Sequence, residues 1–276
     1  MKFALCNEVI REMPFPAQCE FAAGLGYDSL EVAPFTLSDT PHVPGAVDIV
    51  ATRRAAADAG IGIASLHWLL VTPEGLSITD PDDAVRACTV DVMRRLIDLC
   101  GELGGKVLVH GSPGQRRLTA GDEDGARHRA LDCFAAVADS AADAGVIYCI
   151  EALAPEDADF INRVGEAAEM VDAIGSAHVR TMLDCCATAK LGEDSPAELI
   201  DRWLPSGHMA HVQVNDGNGR GPGQGALNFT PILAALQRHG YDGTVAVEPF
   251  EYVPDGPGAA ARAIGYLRGI EEALRV

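Results

Sequence analysis

The stretch Ala141–Glu151, AADAGVIYCIE, sets the reading of the whole chain. Its first part ends a helix-forming run on Gly145, a residue suited to the left-handed turn that stops a helix. Its second part, Val146–Ile150, is a short apolar run of the kind that forms a strand buried on both faces. A single carboxylate, Glu151, follows. The same order recurs in AGLGYDSLEV (Ala23–Val32), ADAGIGIASL (Ala57–Leu66), GELGGKVLVH (Gly101–His110) and QRHGYDGTVAVE (Gln237–Glu248). In each, a helix ends, glycine turns the chain and a strand begins.

Working outward, eight short apolar runs stand out: Phe3–Cys6, Ser29–Val32, Gly62–Leu66, Lys106–Val109, Val146–Ile150, Val179–Leu183, Ala210–Val214 and Thr244–Val247. Helical patterns lie between them, at Pro16–Leu25, Ala46–Ala59, Pro81–Leu103, Gly125–Ala144, Val164–Ile174, Pro196–Trp203, Thr230–His239 and Gly258–Leu274. Strict alternation of strand and helix implies a parallel sheet. Eight such units predict an α/β protein with a single (β/α)8 TIM barrel spanning residues 1–276. An open doubly wound sheet is the competing topology, but no GxGxxG motif follows the first strand. The 276 residues suit a barrel that typically needs about 250.

Composition narrows the function. The formal net charge of −19 opposes binding to phosphate backbones or anionic membranes, so neither nucleic acid nor membrane is an expected partner. No run approaches the roughly 18 to 20 apolar residues of a membrane span, and the N-terminus turns polar too early for a signal peptide. The eight cysteines are scattered without CxxC spacing. That pattern predicts reduced thiols and a cytoplasmic enzyme.

The segments after the strands (Pro34–Pro44, His67–Asp80, Gly111–Asp122, Ala152–Arg163, Cys185–Ser195, Asn215–Asn228 and Pro249–Pro257) read as long loops, and in such a barrel they build the active face. Four of the last strands end on polar groups. VIYCIEAL ends on Glu151, VRTMLDCC on Asp184 and TVAVEPF on Glu248, while MAHVQVND carries His211, Gln213 and Asp216. One such acid would read as a solvated strand end. Four in succession converge on one mouth and make an oxygen-rich site for a divalent ion, Mn²⁺ ahead of Mg²⁺ or Co²⁺. His211 and Gln213 share a strand face, so both stand as candidates for the seventh strand. Cys185 and Cys186 read as packing residues beside so hard a site.

Other groups near the mouth are candidates for substrate contact. His67 and Trp68 follow strand three, and His110 ends strand four. Glu156 and Asn162 lie after Glu151, where they would bind hydroxyls or cap the next helix. The PGQRR segment (Pro113–Arg117) would meet a phosphate or stay solvated.

At these residues the chain resembles the xylose isomerase-like TIM barrel superfamily, which includes ketose 3-epimerases, hydroxypyruvate isomerase, inosose dehydratase and endonuclease IV. The resemblance covers essentially the whole chain. Its most specific part is GHMAHVQVNDGNGRGPGQGALNFTPILAALQRHGYDGTVAVEPF (Gly207–Phe250). It implies Glu151, Asp184, Gln213 and Glu248 as metal ligands. AHVQ matches the glutamine form of the seventh-strand ligand, and His211 remains its competitor. It implies Arg220 as a substrate contact, at a shifted spacing, and a homo-oligomer, either dimer or tetramer. One position departs from the pattern. Ketose epimerases usually carry histidine three residues after the sixth-strand Asp, where this chain has Ala187.

The resemblance further implies a divalent-metal-dependent isomerase or epimerase acting on a small-molecule keto sugar or hydroxy-keto acid. Glu151 and Glu248 would exchange the proton next to a carbonyl, through an enediolate. His67, His110, Glu156, His211 and Arg220 are the expected substrate-binding set. A lyase on the same scaffold, either a dehydratase or a 3-oxo-glycoside deglycosidase, is the alternative. An endonuclease IV-like phosphodiesterase fits the acidic charge poorly.

Overall fold

The computed structural model describes residues 1–192 and 194–275. Its strands are β1 (Lys2–Cys6), β2 (Ser29–Val32), β3 (Gly62–Leu66), β4 (Val107–His110), β5 (Ile147–Ile150), β6 (Val179–Asp184), β7 (Met209–Val214) and β8 (Thr244–Val247). All pair in parallel with their sequence neighbours, and β8 closes on β1. The result is a closed eight-stranded TIM barrel.

Helices lie between the strands: α1 (Phe15–Leu25), α2 (Ile49–Asp58), α3 (Asp83–Leu103), α4 (Glu123–Ala135), α5 (Ala138–Ala144), α6 (Val164–Ile174), α7 (Cys185–Leu191), α8 (Pro196–Trp203), α9 (Phe229–Arg238) and α10 (Gly256–Ala273). Gly145 ends α5 at φ 65°, the left-handed stop expected of it. Two expectations need correction. The helix predicted over Gly125–Ala144 is two helices, because the chain turns at Ala136–Val137, where the Val137 N–H bonds to the Phe134 carbonyl three residues back at 3.4 Å. The loop predicted over Cys185–Ser195 begins with α7, because Asp184 caps it by accepting from the backbone N–H of Ala187 at 2.7 Å.

Strand register sorts side chains into two layers. Alternate residues point outward, and Leu30, Leu66, Leu108, Tyr148, Ile150, Val212, Val245 and Val247 join the helices in the main core. The inward set divides by chemistry. Val109, Cys149 and Met182 form a separate apolar cluster under β4–β6. On the other side Cys6 pairs with Glu31 and Glu31 with Ser65, while Asp184 pairs with Gln213 and Gln213 with Ala246. One half of the barrel interior is therefore polar, and it leads to the mouth. Among the described residues no helix is long and apolar enough to cross a membrane.

Candidate active site

The C-terminal mouth holds a cavity of about 520 Å³. Its walls include His67, Trp68, Glu151, Asp157, Lys190, Asn218, Glu248 and Phe250. Glu151 follows β5 directly, and its Oε2 packs so close to the backbone of Gly111 that any side chain there would displace the carboxylate. Asp184 is fixed at both oxygens. Oδ1 caps α7, and Oδ2 accepts from Asn215 Nδ2 at 2.7 Å. Asn215 also donates to the carbonyl of Glu248 at 3.0 Å and accepts from the N–H of Cys186 at 2.7 Å. One amide thus ties together the ends of β6, β7 and β8.

Below the mouth sits Glu31, fully buried. It accepts from Gln213 Nε2 at 2.7 Å, from Cys6 Sγ at 3.3 Å and from Ser65 Oγ. His211 Nε2 lies 2.8 Å from its Oε2, close enough to pair by charge, though not aligned as a hydrogen bond. Burial alone would raise the Glu31 carboxyl, but His211, His67 and Ser65 outweigh it and hold the group well below its usual range. This carboxylate sets the Gln213 amide: the NH₂ group faces Glu31, which leaves Oε1 buried with no hydrogen-bond partner.

His67 bridges two carboxylates. Its Nε2 lies 2.9 Å from Glu8 Oε2 and its Nδ1 lies 3.0 Å from Glu248 Oε1. Burial favours the neutral ring, yet Glu8 and Glu248 outweigh it and raise its pKa well above the ordinary value, which favours an imidazolium facing both carboxylates. Cys6, Glu8, His67 and Glu248 lie close enough together to hold a metal ion. The two ring nitrogens face different carboxylates, however, so hydrogen bonds already account for this cluster.

The residues expected as ligands are crowded, buried acceptors. Burial, then Glu248 and Asp184, push the Glu151 carboxyl well above its ordinary pKa. Burial raises Asp184 to about 6 and Glu248 to about 8. Gln213 Oε1 and Glu248 Oε2 are buried acceptors without partners. Unpaired buried acceptors and crowded carboxylates are both costly, and a divalent cation would relieve both. The donors are oxygens, which suits Mn²⁺ or Mg²⁺. Burial pushes the neighbouring Cys186 thiol up to about 11, so no thiolate competes.

The model of the family described as "Xylose isomerase-like TIM barrel" matches residues 19–270. The chain belongs to this family. Within it, a D-psicose 3-epimerase of Ruminiclostridium cellulolyticum is 29% identical, covering 87% of this chain and 79% of the relative. A hydroxypyruvate isomerase candidate from Streptomyces coelicolor is 27% identical, covering 96% and 94%. Among solved structures, a D-psicose 3-epimerase determined in the presence of D-fructose superposes with a TM-score of 0.82 at 22% identity, covering 98% and 99%. A 3-keto-D-glucoside 4-epimerase from E. coli gives 0.83 at 20%, covering 98% and 99%. These structural likenesses show the shared fold.

Against this family's pattern, the expected residues separate. Glu151, Glu248 and His67 line the cavity, and Asp184 and Gln213 are held beside them by the contacts above. His211 lies on the same strand face as Gln213 but is committed to Glu31. His110 faces away from the cavity. Its Nδ1 is 2.7 Å from the Tyr148 hydroxyl and its ring meets Phe134 edge-on, because parity at the end of β4 points Val109 inward and His110 outward. Glu156 is exposed and ion-paired to Lys190, while its neighbour Asp157 lines the cavity. Arg220 is exposed and is not among the lining residues. The reading of PGQRR as a phosphate contact fails at Arg116. That side chain is fully buried and donates to the carbonyls of His110, Gly111 and Glu151.

Glu8, Asn215, Asp157 and Lys190 were missed in the sequence. Glu8 and Asn215 follow strands in the same way as Glu151 and could have been found by that signal. Lys190 carries none, being a lone cation in a segment that reads as loop.

Proposed function

We propose that the protein is a divalent-metal-dependent epimerase or isomerase of an uncharged keto sugar, with Glu151 and Glu248 as the proton-transfer pair. The carrying observation is two buried carboxylates on one cavity, beside unpartnered acceptors on Gln213 and Glu248. Glu151, Asp184, Gln213 and Glu248 would hold the ion, with Mn²⁺ first. When bound, the ion would supply positive charge to the substrate oxygens as the carbon beside the carbonyl loses its proton.

The chain's own groups do the rest. One of Glu151 and Glu248 takes the proton and the other returns it. His67, donating to Glu248, steadies the charge on that carboxylate. Lys190 and Asp157, both on the cavity wall, offer a donor and an acceptor to sugar hydroxyls. Cavity charge favours a neutral substrate. Both lining cations are already paired, His67 with Glu8 and Glu248, and Lys190 with Glu156 and Asp157. Arg116 is saturated by carbonyls. A carboxylate or phosphate would meet no unpaired cation among the described lining residues, which favours a keto sugar over a hydroxy-keto acid. Eight unpaired cysteines support the cytoplasmic assignment.

The test is incubation of the Mn²⁺-loaded protein in D₂O with D-psicose, L-ribulose, a 3-keto-glucoside and hydroxypyruvate. Deuterium beside the carbonyl, in a product of otherwise conserved mass, supports the proposal. Loss of water or of an aglycone makes the enzyme a lyase, and turnover of hydroxypyruvate alone defeats the neutral-substrate reading. Undiminished epimerisation by Glu248→Gln with metal still bound would defeat the two-base scheme.

A further inference from the structure

We infer that Trp68 is a positioning residue that decides which oxygen of Glu248 faces the reaction. The inference rests on Glu248 acting in the site as proposed above. Trp68 follows His67 just beyond β3, and its backbone lies in the left-handed region at φ 52°. A bulky residue rarely adopts that conformation, and where one does, the surroundings hold it there. In an extended strand, consecutive side chains point to opposite faces. The left-handed step breaks that alternation, so His67 and Trp68 reach the same side.

Both then meet one atom. His67 Nδ1 lies 3.0 Å from Glu248 Oε1, and Trp68 Nε1 donates to the same oxygen at 3.1 Å. An indole N–H can only donate, so the contact requires the carboxylate as acceptor. Glu248 Oε2 is buried without a partner. A carboxylate held by one donor could turn about its last bond and exchange its oxygens. Two donors from adjacent residues on one oxygen oppose that turn, because it would break both bonds. Oε1 is thereby held, and Oε2 is left as the oxygen with no partner on the protein. The indole is 40% exposed and lines the cavity, so its ring forms wall while its N–H holds the carboxylate.

A tryptophan serving only as wall would leave the carboxylate indifferent to its N–H, and two measurements separate these roles. The chain has two tryptophans, and the indole nitrogen of the other, Trp203, has no partner. In ¹⁵N-tryptophan-labelled full-length protein, the Trp68 indole proton should resonate downfield of Trp203, with Trp203→Phe giving the assignment. It should move upfield in Glu248→Ala, or in Glu248→Gln if the alanine variant does not fold. An indole signal indifferent to residue 248 would overturn the inference, whether or not the enzyme turns over.

The second measurement is kinetic, on Mn²⁺-loaded Trp68→Phe with D-psicose. This variant keeps a ring and loses the N–H. We expect kcat to fall about tenfold, the scale of one hydrogen bond to a charged group, with KM changed by less than about threefold. An unperturbed Trp203 signal shows that the fold is kept. A raised KM with unchanged kcat would make Trp68 wall alone. If the wild type turns over no keto sugar, the functional reading fails by itself, and the indole signal still decides whether Trp68 holds Glu248.

Discussion

At the scale of single residues, Glu31 governs the site without entering it. Its buried carboxylate is balanced by His211 and orients the Gln213 amide. Glu31→Gln should leave fewer acceptor oxygens for the buried donors Gln213, Cys6 and Ser65, destabilising the protein by about 2 kcal/mol, read by chemical denaturation. The same substitution frees the Gln213 amide to turn. Mn²⁺ affinity should then fall by about tenfold or more in calorimetric titration, the usual scale for losing a group that orients a ligand. Lys190 acts differently, since its amine offers a hydrogen bond to substrate in ground and transition states alike. Lys190→Met should raise KM for D-psicose by about fivefold and leave kcat near wild type. Equal losses in kcat and kcat/KM would instead place Lys190 in the chemistry.

At the scale of elements, the barrel is clasped where its two ends meet. Glu271 on α10 pairs with the amino group of Met1, with Arg268 at 2.9 Å and with Arg275 at 2.9 Å. Burial would raise this carboxyl, but the amino group and the two arginines bring it down from 4.5 to about 2. A depressed carboxyl pKa stabilises the fold above the unfolded value and loses that contribution as the group protonates. Glu271→Gln should therefore cost about 1 kcal/mol at neutral pH, allowing for solvent screening. The gap between variant and wild type in urea denaturation should close as pH falls from about 4.5 to about 2. A constant gap would mean that the amide disturbs packing rather than charge. The short helix α7 belongs to this scale too. The Asp184 that caps it is an expected ligand, so the turn that starts α7 also fixes the carboxylate.

At the scale of the whole molecule, β5, β6 and β8 bring Glu151, Asp184 and Glu248 together, and their burial, with repulsion added at Glu151 and Glu248, opposes folding when all are charged. Their folded pKa values lie above the unfolded ones, so metal-free protein should lose stability as pH rises from the ordinary carboxylate range to about 8. Chelator-treated protein should melt lower at pH 8 than at pH 6, and Mn²⁺ should abolish most of that slope. A slope unchanged by Mn²⁺ would argue against these residues as its ligands. The barrel itself was legible from the chain, because its signals are local: apolar runs of strand length, glycine at helix ends, and a carboxylate as each late strand leaves the core. Period and turn chemistry act over a few residues, and so a sequence displays them. The contacts that shape the site join distant positions. Glu248 and His67 stand 181 residues apart, and Gln213 and Glu31 stand 182 apart. Parity at the end of β4 turned His110 away from the cavity, and burial turned Arg116 from a candidate phosphate contact into a structural donor. The sequence by itself determined the eight-unit barrel and Glu151, Asp184 and Glu248 at its mouth. Only the tertiary structure decided which neighbours hold them, because closing β8 onto β1 brings together residues from opposite ends of the chain, and a left-handed step at Trp68 has no signature in composition or period.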